Sequence, residues 1–493
     1  VLATTILGSA MAFLDGTVVN IALPRIGQQF GASLAGLQWT VTGYTLTLAA
    51  FVLVGGSLGD RFGRRKIFLI GVVWFALASL ACGLAPTLGV LIAFRAIQGV
   101  GSALLTPGAL ALIQSVFHPD DRAKAVGAWS GLASIAGAAG PLVGGYLIEY
   151  ATWRWIFLIN LPLAAAVVVL ARRYVPESRE LIVGHFDLPG AILGAVGLAG
   201  ITYALVEAGA KGLGSATVVL TALVGIGALV AFVLVERRSP APMMPLSLFS
   251  SREFSAANAL TLTAYGAGGG FFFFFATYLQ VVGGYSPLEA GLASLPTTIV
   301  MMTLSSRVGG LTTKVGARRL LTAGGVLTAA GMLLLSTSGH HPNYWGHILP
   351  SLIVFSLGMV LIAVPVTVTV LNSVSTDRAG IASGVNNAVA RAAGALAVAA
   401  YPLVVGLKGD GYADPAKLEP AFSKAMVLSA VLFAVSGAIA WFGIRDSATR
   451  MTPEHPVEAP QCTTCLPIGS PPLEPAHRGA LGADAAAVGG SAG

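Results

Sequence analysis

"GSLGDRFGRRKIF", residues 56–68, closes one apolar run and opens the next, and a degenerate copy, "GGLTTKVGARRLL", occupies residues 309–321. At an offset of 253 the two copies align Gly56 with Gly309, Leu58 with Leu311, Arg61 with Lys314, Gly63 with Gly316 and Arg65 with Arg318. A second pair, "DRAKAVGAW" (121–129) and "DRAGIASGV" (377–385), repeats at 256. Self-similarity over such a distance marks a duplicated unit. Both copies fall at the same place in the order of apolar runs, so the duplication predicts two parallel halves.

The apolar runs themselves set the medium. Of 493 residues, 55% are hydrophobic and 10% charged, and the mean hydropathy is +0.81. A soluble chain needs a charged surface, and this one has too little charge to make it. The chain is an integral membrane protein. Charges are bunched between stretches of about 20 apolar residues, the length at which a helix crosses a bilayer; the short alternating segments of a β-barrel are absent. The runs predict spans near 1–23, 38–58, 67–85, 88–116, 126–148, 155–171, 188–206, 216–235, 255–282, 288–306, 320–338, 346–371, 380–406 and 421–443. The first continues into "NIALPRIGQQF" without a small-residue cleavage site and reads as an uncleaved span. The predicted fold class is all-α, with fourteen transmembrane helices. Residues 1–171 form one six-helix half, 172–254 two inserted helices with their flanking segments, 255–445 a second six-helix half and 446–493 a disordered tail.

The net charge of +7 is not gathered into a basic stripe, which excludes a nucleic-acid partner. It reports topology instead. With the first span running outward, inside segments hold 20 Lys and Arg and outside segments six, while Arg95 and Arg391 lie within spans. That asymmetry places both termini in the cytoplasm. The three cysteines, Cys82, Cys462 and Cys465, make no disulfide framework, and the Cys462/Cys465 pair with His455 and His477 lacks the spacing of a zinc finger. No metal or cofactor is expected, and the energy source is a proton gradient. No Gly-x-x-x-x-Gly-Lys-Ser/Thr loop is present to bind ATP. A membrane-embedded enzyme would need clustered His, Asp or Cys; His347 stands alone, so the chain is read as no enzyme.

Four motifs then fall in order. "LDGTVVNIALP" (14–24) lies in the first span and "GDRFGRRK" (59–66) between the second and third; "LIAFRAIQGVGSALLTPG" (91–108) forms the fourth and "GPLVGG" (140–145) the fifth. Together they resemble the major facilitator superfamily in its fourteen-helix drug:proton antiporter branch, over residues 1 to about 445. Phe68 replaces the usual Leu, and Ala136 stands where Gly is frequent. The resemblance implies alternating access: two halves rock about a central cavity and export a drug against protons.

Within that frame each motif has a candidate role. Of 21 Asp and Glu, only Asp15 lies deep in a span, and an intramembrane carboxylate is a functional residue by default. A carboxyl's proton affinity rises with burial and falls beside a cation, so Asp15 is the candidate proton site. Arg95, deep in span 4, needs buried partners; the resemblance implies that it shares in proton coupling. The corresponding segment of span 12, "LIVFSLGMVLIAVP", has no arginine. Asp60, Arg61, Gly63, Arg64 and Arg65 are the candidate conformational latch. Asp60 suits the positive N-terminal end of span 13, whereas the second copy has Thr313 at the Asp60 position. Gly140, Pro141, Gly144 and Gly145 form the antiporter motif, combining close packing with a bend.

"GAGGGFFFFF" (266–275) points phenylalanines all around span 9, so at most two face a cavity. Candidate cavity residues are Asn20, Tyr44, Gln98, Tyr265, Phe272 and Phe275. Arg391 is placed in the first turns of span 13, near the cytoplasmic face, as a structural residue. The expected function is export of a lipophilic drug or antibiotic, cations included, from the bacterial cytoplasm, by a monomer in the inner membrane. Export of lipids or envelope precursors is the alternative, with a transporter-derived receptor behind it.

Overall fold

The computed structural model describes residues 1–178, 187–240, 242–340, 342–375 and 378–445. The tail from 446, with the Cys462/Cys465 pair, lies outside the described residues. Among the described residues fourteen helices are long and apolar enough to cross a membrane. Spans 1 to 6 are Leu2–Phe30, Leu34–Phe62, Arg64–Gly83, Leu88–Val116, Ala125–Tyr150 and Trp155–Tyr174. Spans 7 and 8 are Leu188–Lys211 and Ala216–Arg238. Spans 9 to 14 are Arg252–Val281, Pro287–Thr312, Ala317–Ser336, Tyr344–Asn372, Ala379–Val405 and Pro415–Gly443. Among the described residues there is no strand.

The helices begin and end where side chains or glycines can serve the unpaired backbone groups. Ser33, Thr87 and Ser251 accept from the backbone N–H three residues on, and Ser286 with Glu289 closes a full capping box at span 10. Span 1 runs through Pro24 to Phe30, past the expected end, and stops where Gly31 turns left-handed (φ +56°). Proline inside a helix bends it rather than ending it when neighbours serve the freed carbonyl. Two such carbonyls are visible. Pro141 cannot bond Gly137 O, which instead accepts from Thr17 Oγ1 at 2.8 Å; Pro402 cannot bond Val398 O, which accepts from Gln38 Nε2 at 2.8 Å.

The repeat read from sequence is carried by the backbone. Gly63 and Gly316, aligned at offset 253, both take positive φ (+111° and +92°) at the turns after spans 2 and 10, a conformation that favours glycine. The same four pairings recur: spans 1 with 5, 2 with 4, 3 with 4 and 3 with 6, then 9 with 13, 10 with 12, 11 with 12 and 11 with 14. The two sets meet chiefly along span 2 against 13 and span 5 against 10, with span 1 also against span 9. Span 8 packs on span 7, while span 7 lies against both spans 2 and 13, so only one of the inserted pair is peripheral.

Polar joints between the sets lie toward one end of the bundle, that of the loops at 31–33 and 406–414. There Gln38 Nε2 donates to Val398 O and Ala399 O (2.8 and 2.9 Å), Tyr412 Oη to Ala32 O (2.8 Å) and Gln280 Nε2 to Ile21 O (3.0 Å). The Leu288 N–H donates to Glu149 Oε2 at 3.0 Å.

Candidate functional site

Asp15, the fourteenth residue of span 1, is fully buried, about 20 Å from either end of its helix. A lone carboxylate there would be costly, and the fold surrounds it with donors from other spans. Arg95 Nη1 of span 4 meets Asp15 Oδ2 at 2.5 Å. Gln98 Nε2, one helical turn further along span 4, reaches Asp15 Oδ1 at 2.9 Å, and Asn160 Nδ2 of span 6 approaches the same oxygen at 3.4 Å.

The arginine is equally enclosed. It is 1% exposed, its Nη1 also donates to Gln98 Oε1 (2.7 Å) and its Nε to Thr40 O of span 2 (3.2 Å). Its guanidinium lies over the buried Tyr44 ring at 4.3 Å, a cation–π contact. Tyr44 Oη in turn bonds Ser102 Oγ at 2.9 Å. Asn160 is held by Ser79 Oγ of span 3 (3.0 Å), which donates to Phe157 O. Five spans of the first set therefore converge on one ion pair.

Of the residues expected from sequence, Asp15, Arg95, Gln98 and Tyr44 come together. Asn20 stands five residues further along span 1, its buried Oδ1 without a partner among the described residues. Tyr265 is half-buried on span 9. Phe275 is buried against Phe271 (5.0 Å), which packs on Phe355 of span 12, whereas Phe272 is 44% exposed. Asn160, Ser79 and Thr40 had no local signal: a single amide or hydroxyl in an apolar run becomes meaningful only through the span facing it.

Arg391 requires a correction. It is the thirteenth residue of span 13, about 18 Å into the helix rather than in its first turns. Its guanidinium lies 5.5 Å from the ring of Phe13 in span 1.

The antiporter glycines are packing sites. A Cβ on Gly140 would strike Thr17 Oγ1, one on Gly144 the Val18 side chain, and one on Gly145 the Pro287 carbonyl of span 10. The bare Gly140 and Gly144 let span 5 lie against span 1 beside Asp15, and Gly145 lets it lie against span 10. In the loop after span 2, Arg64 Nε donates to Asp60 Oδ1 at 2.8 Å. Glu177, unremarked in the sequence, accepts from the Arg65 and Lys66 N–H groups (3.0 and 3.2 Å). It thereby serves the first turn of span 3, where the helix dipole favours an anion. Arg65 Nη1 donates to Val175 O at 3.0 Å, and Arg61 lies 5.6 Å from the Phe62 ring.

Among the described residues no group of His, Cys, Asp and Glu could hold a metal ion. Comparison with known proteins agrees with transport rather than catalysis. The Major Facilitator Superfamily description matches residues 5–398. Multidrug resistance protein Stp of Mycobacterium tuberculosis (strain CDC 1551 / Oshkosh) is 38% identical over 389 residues, 78% of this chain and 72% of that one. Puromycin resistance protein pur8 of Streptomyces alboniger is 38% identical over 394 residues, 79% and 78% of the two chains. A solved bacterial homologue of the human lysosomal transporter Spinster, in an inward-facing and unoccupied conformation, shares the fold with a TM-score of 0.64 at 18% identity. The match covers 90% of this chain and 96% of that one. The chain is a multi-pass membrane protein that belongs to the major facilitator superfamily, within its multidrug- and antibiotic-resistance exporters.

Proposed function

We propose that the protein is a proton-coupled antiporter that exports lipophilic drugs or antibiotics across the bacterial cytoplasmic membrane, both termini inside, working as a monomer. The observation that carries the reading is the buried Asp15–Arg95 pair. Protonation of Asp15 removes the negative charge that holds Arg95, and the guanidinium must then find other partners, which couples one proton to a rearrangement of five spans.

The rocking units are residues 1–171 and 255–445, with 172–254 inserted and 446–493 a cytoplasmic tail. The excess of Lys and Arg on the side of residues 60–66 marks that side as cytoplasmic. The polar joints toward the opposite end then correspond to an outwardly closed state. Asp15 is sealed from water in this state, so its proton is exchanged when the outer end opens. In that outward-open state Asp60 leaves Arg64 for the N-terminal end of span 13, and the latch of Asp60, Arg61, Gly63, Arg64 and Arg65 closes the inner end.

The test uses everted bacterial vesicles acidified by respiration. Adding puromycin, 1-pyrenebutanoate or 1-pyrenebutanamide should release protons with at least one probe, and Asp15→Asn, inserted at equal level, should release none. Equal release from the variant, or no release with any probe, would defeat the reading. Asp60→Asn should raise the inward-open fraction in a cysteine-accessibility assay.

A further inference from the structure

Arg391 is a cation at mid-membrane that the coupling network does not use. Among the described residues it has no hydrogen bond and no carboxylate at ion-pair distance; its one close neighbour of note is the Phe13 ring, 5.5 Å away. It is only partly buried. A guanidinium in this setting stays charged and is held by solvent or by a partner that is not part of the chain.

Its place is as informative as its isolation. Phe13 belongs to span 1 and Arg391 to span 13, so the charge sits between the two sets of six spans. It is near enough to Tyr44 and Tyr265, one from each set, to act on both electrostatically. Asn20, whose buried Oδ1 is unpartnered, lies seven residues from Phe13 and so on the same face of span 1. Asp15 is already paired with Arg95 and is not a counter-ion for Arg391. The Phe13 ring and an unpaired guanidinium thus stand together between the two sets.

We propose that Arg391 is the specificity-determining cation of the substrate cavity, selecting lipophilic compounds that carry a carboxylate. The carboxylate pairs with the guanidinium, whose fork of donors fits two oxygens, and the apolar body lies against Phe13. This deepens the export reading and rests on it, in that the space between the sets is taken as the drug path.

The experiment is equilibrium binding to the full-length chain in detergent at neutral pH, which needs neither gradient nor coupling. The probes are 1-pyrenebutanoate and 1-pyrenebutanamide, matched in shape and differing in charge, read by fluorescence polarisation. The acid should bind about tenfold more tightly than the amide. Arg391→Gln should abolish that ratio chiefly by weakening the acid, and Arg391→Lys should retain part of it. A ratio near one in the natural protein, a ratio that survives Arg391→Gln, or no binding of either probe would overturn the proposal. So would an equal loss of both probes in the Gln and Lys variants, which would make the residue structural. Proton release abolished by Asp15→Asn without an acid preference would leave export standing and remove this inference; an acid preference without proton release would do the reverse.

Discussion

Each set of six spans holds one deep arginine, and the fold treats the two in opposite ways. Arg95, in the first set, is 1% exposed and bonded to Asp15, Gln98 and the Thr40 carbonyl, with Tyr44 against its face. Arg391, in the second, is partly exposed, its guanidinium 5.5 Å from the Phe13 ring of span 1. The repeat thus preserved the packing of the two halves while their polar chemistry diverged. One half holds a closed network suited to storing a charge pair, and the other offers an open charge suited to meeting a ligand.

The sharpest way to break this comparison is to remove each arginine in turn. Arg95→Met leaves Asp15 buried without its cation and should cost about 3–5 kcal/mol. Thermal unfolding in detergent measures it, and adding Asp15→Asn should restore most of the loss, because the stranded charge is then gone. Failure of the second change to restore stability would mean that the pair is not the unit the geometry describes.

Next in size is the tie between the sets. Gln38→Ala strands Val398 O, which Pro402 already deprives of its helical donor, and should cost the closed end near the loops at 31–33 and 406–414 about 1–2 kcal/mol. Spin labels on the loops at 31–33 and 406–414 should show the open fraction rising about tenfold. Thr17→Val, which strands Gly137 O within the first set alone, should cost about 1 kcal/mol of stability without that shift in the spin-label distances. The smallest effect belongs to Arg391→Met. No partner is left unsatisfied, so stability should change by less than about 1 kcal/mol; a loss as large as that of Arg95→Met would erase the contrast between the two halves.

Much of this was legible along the chain because it is periodic or one-dimensional. The spans follow from apolar run length, the duplication from aligned motifs, and the depth of Asp15 from 1.5 Å of rise per residue. Arg95 and Gln98 fall on one face of span 4 by their spacing of three, so their joint approach to Asp15 is a consequence of helix geometry. Asn160 and Ser79 were silent for the opposite reason. Each is one polar residue in an apolar run, and its value depends on a neighbour about 80 or more residues away in sequence. Arg391 was misplaced because its charge suggested a membrane face, whereas its helix begins at Ala379 and carries it to the centre. The phenylalanine run divides similarly: periodicity limits how many can share a face, but packing against Phe355 decides that Phe271 is core and Phe272 is not.

The sequence by itself determined that this chain has fourteen membrane-spanning runs, that its motifs are duplicated, and that one carboxylate lies deep within a span. Tertiary structure alone decided which charges meet. Hydrophobicity acts on area and needs no specific partner, so it can be read locally. An ion pair or a hydrogen bond is a directional contact over a few ångströms, and which groups reach that distance is set by how separate helices pack.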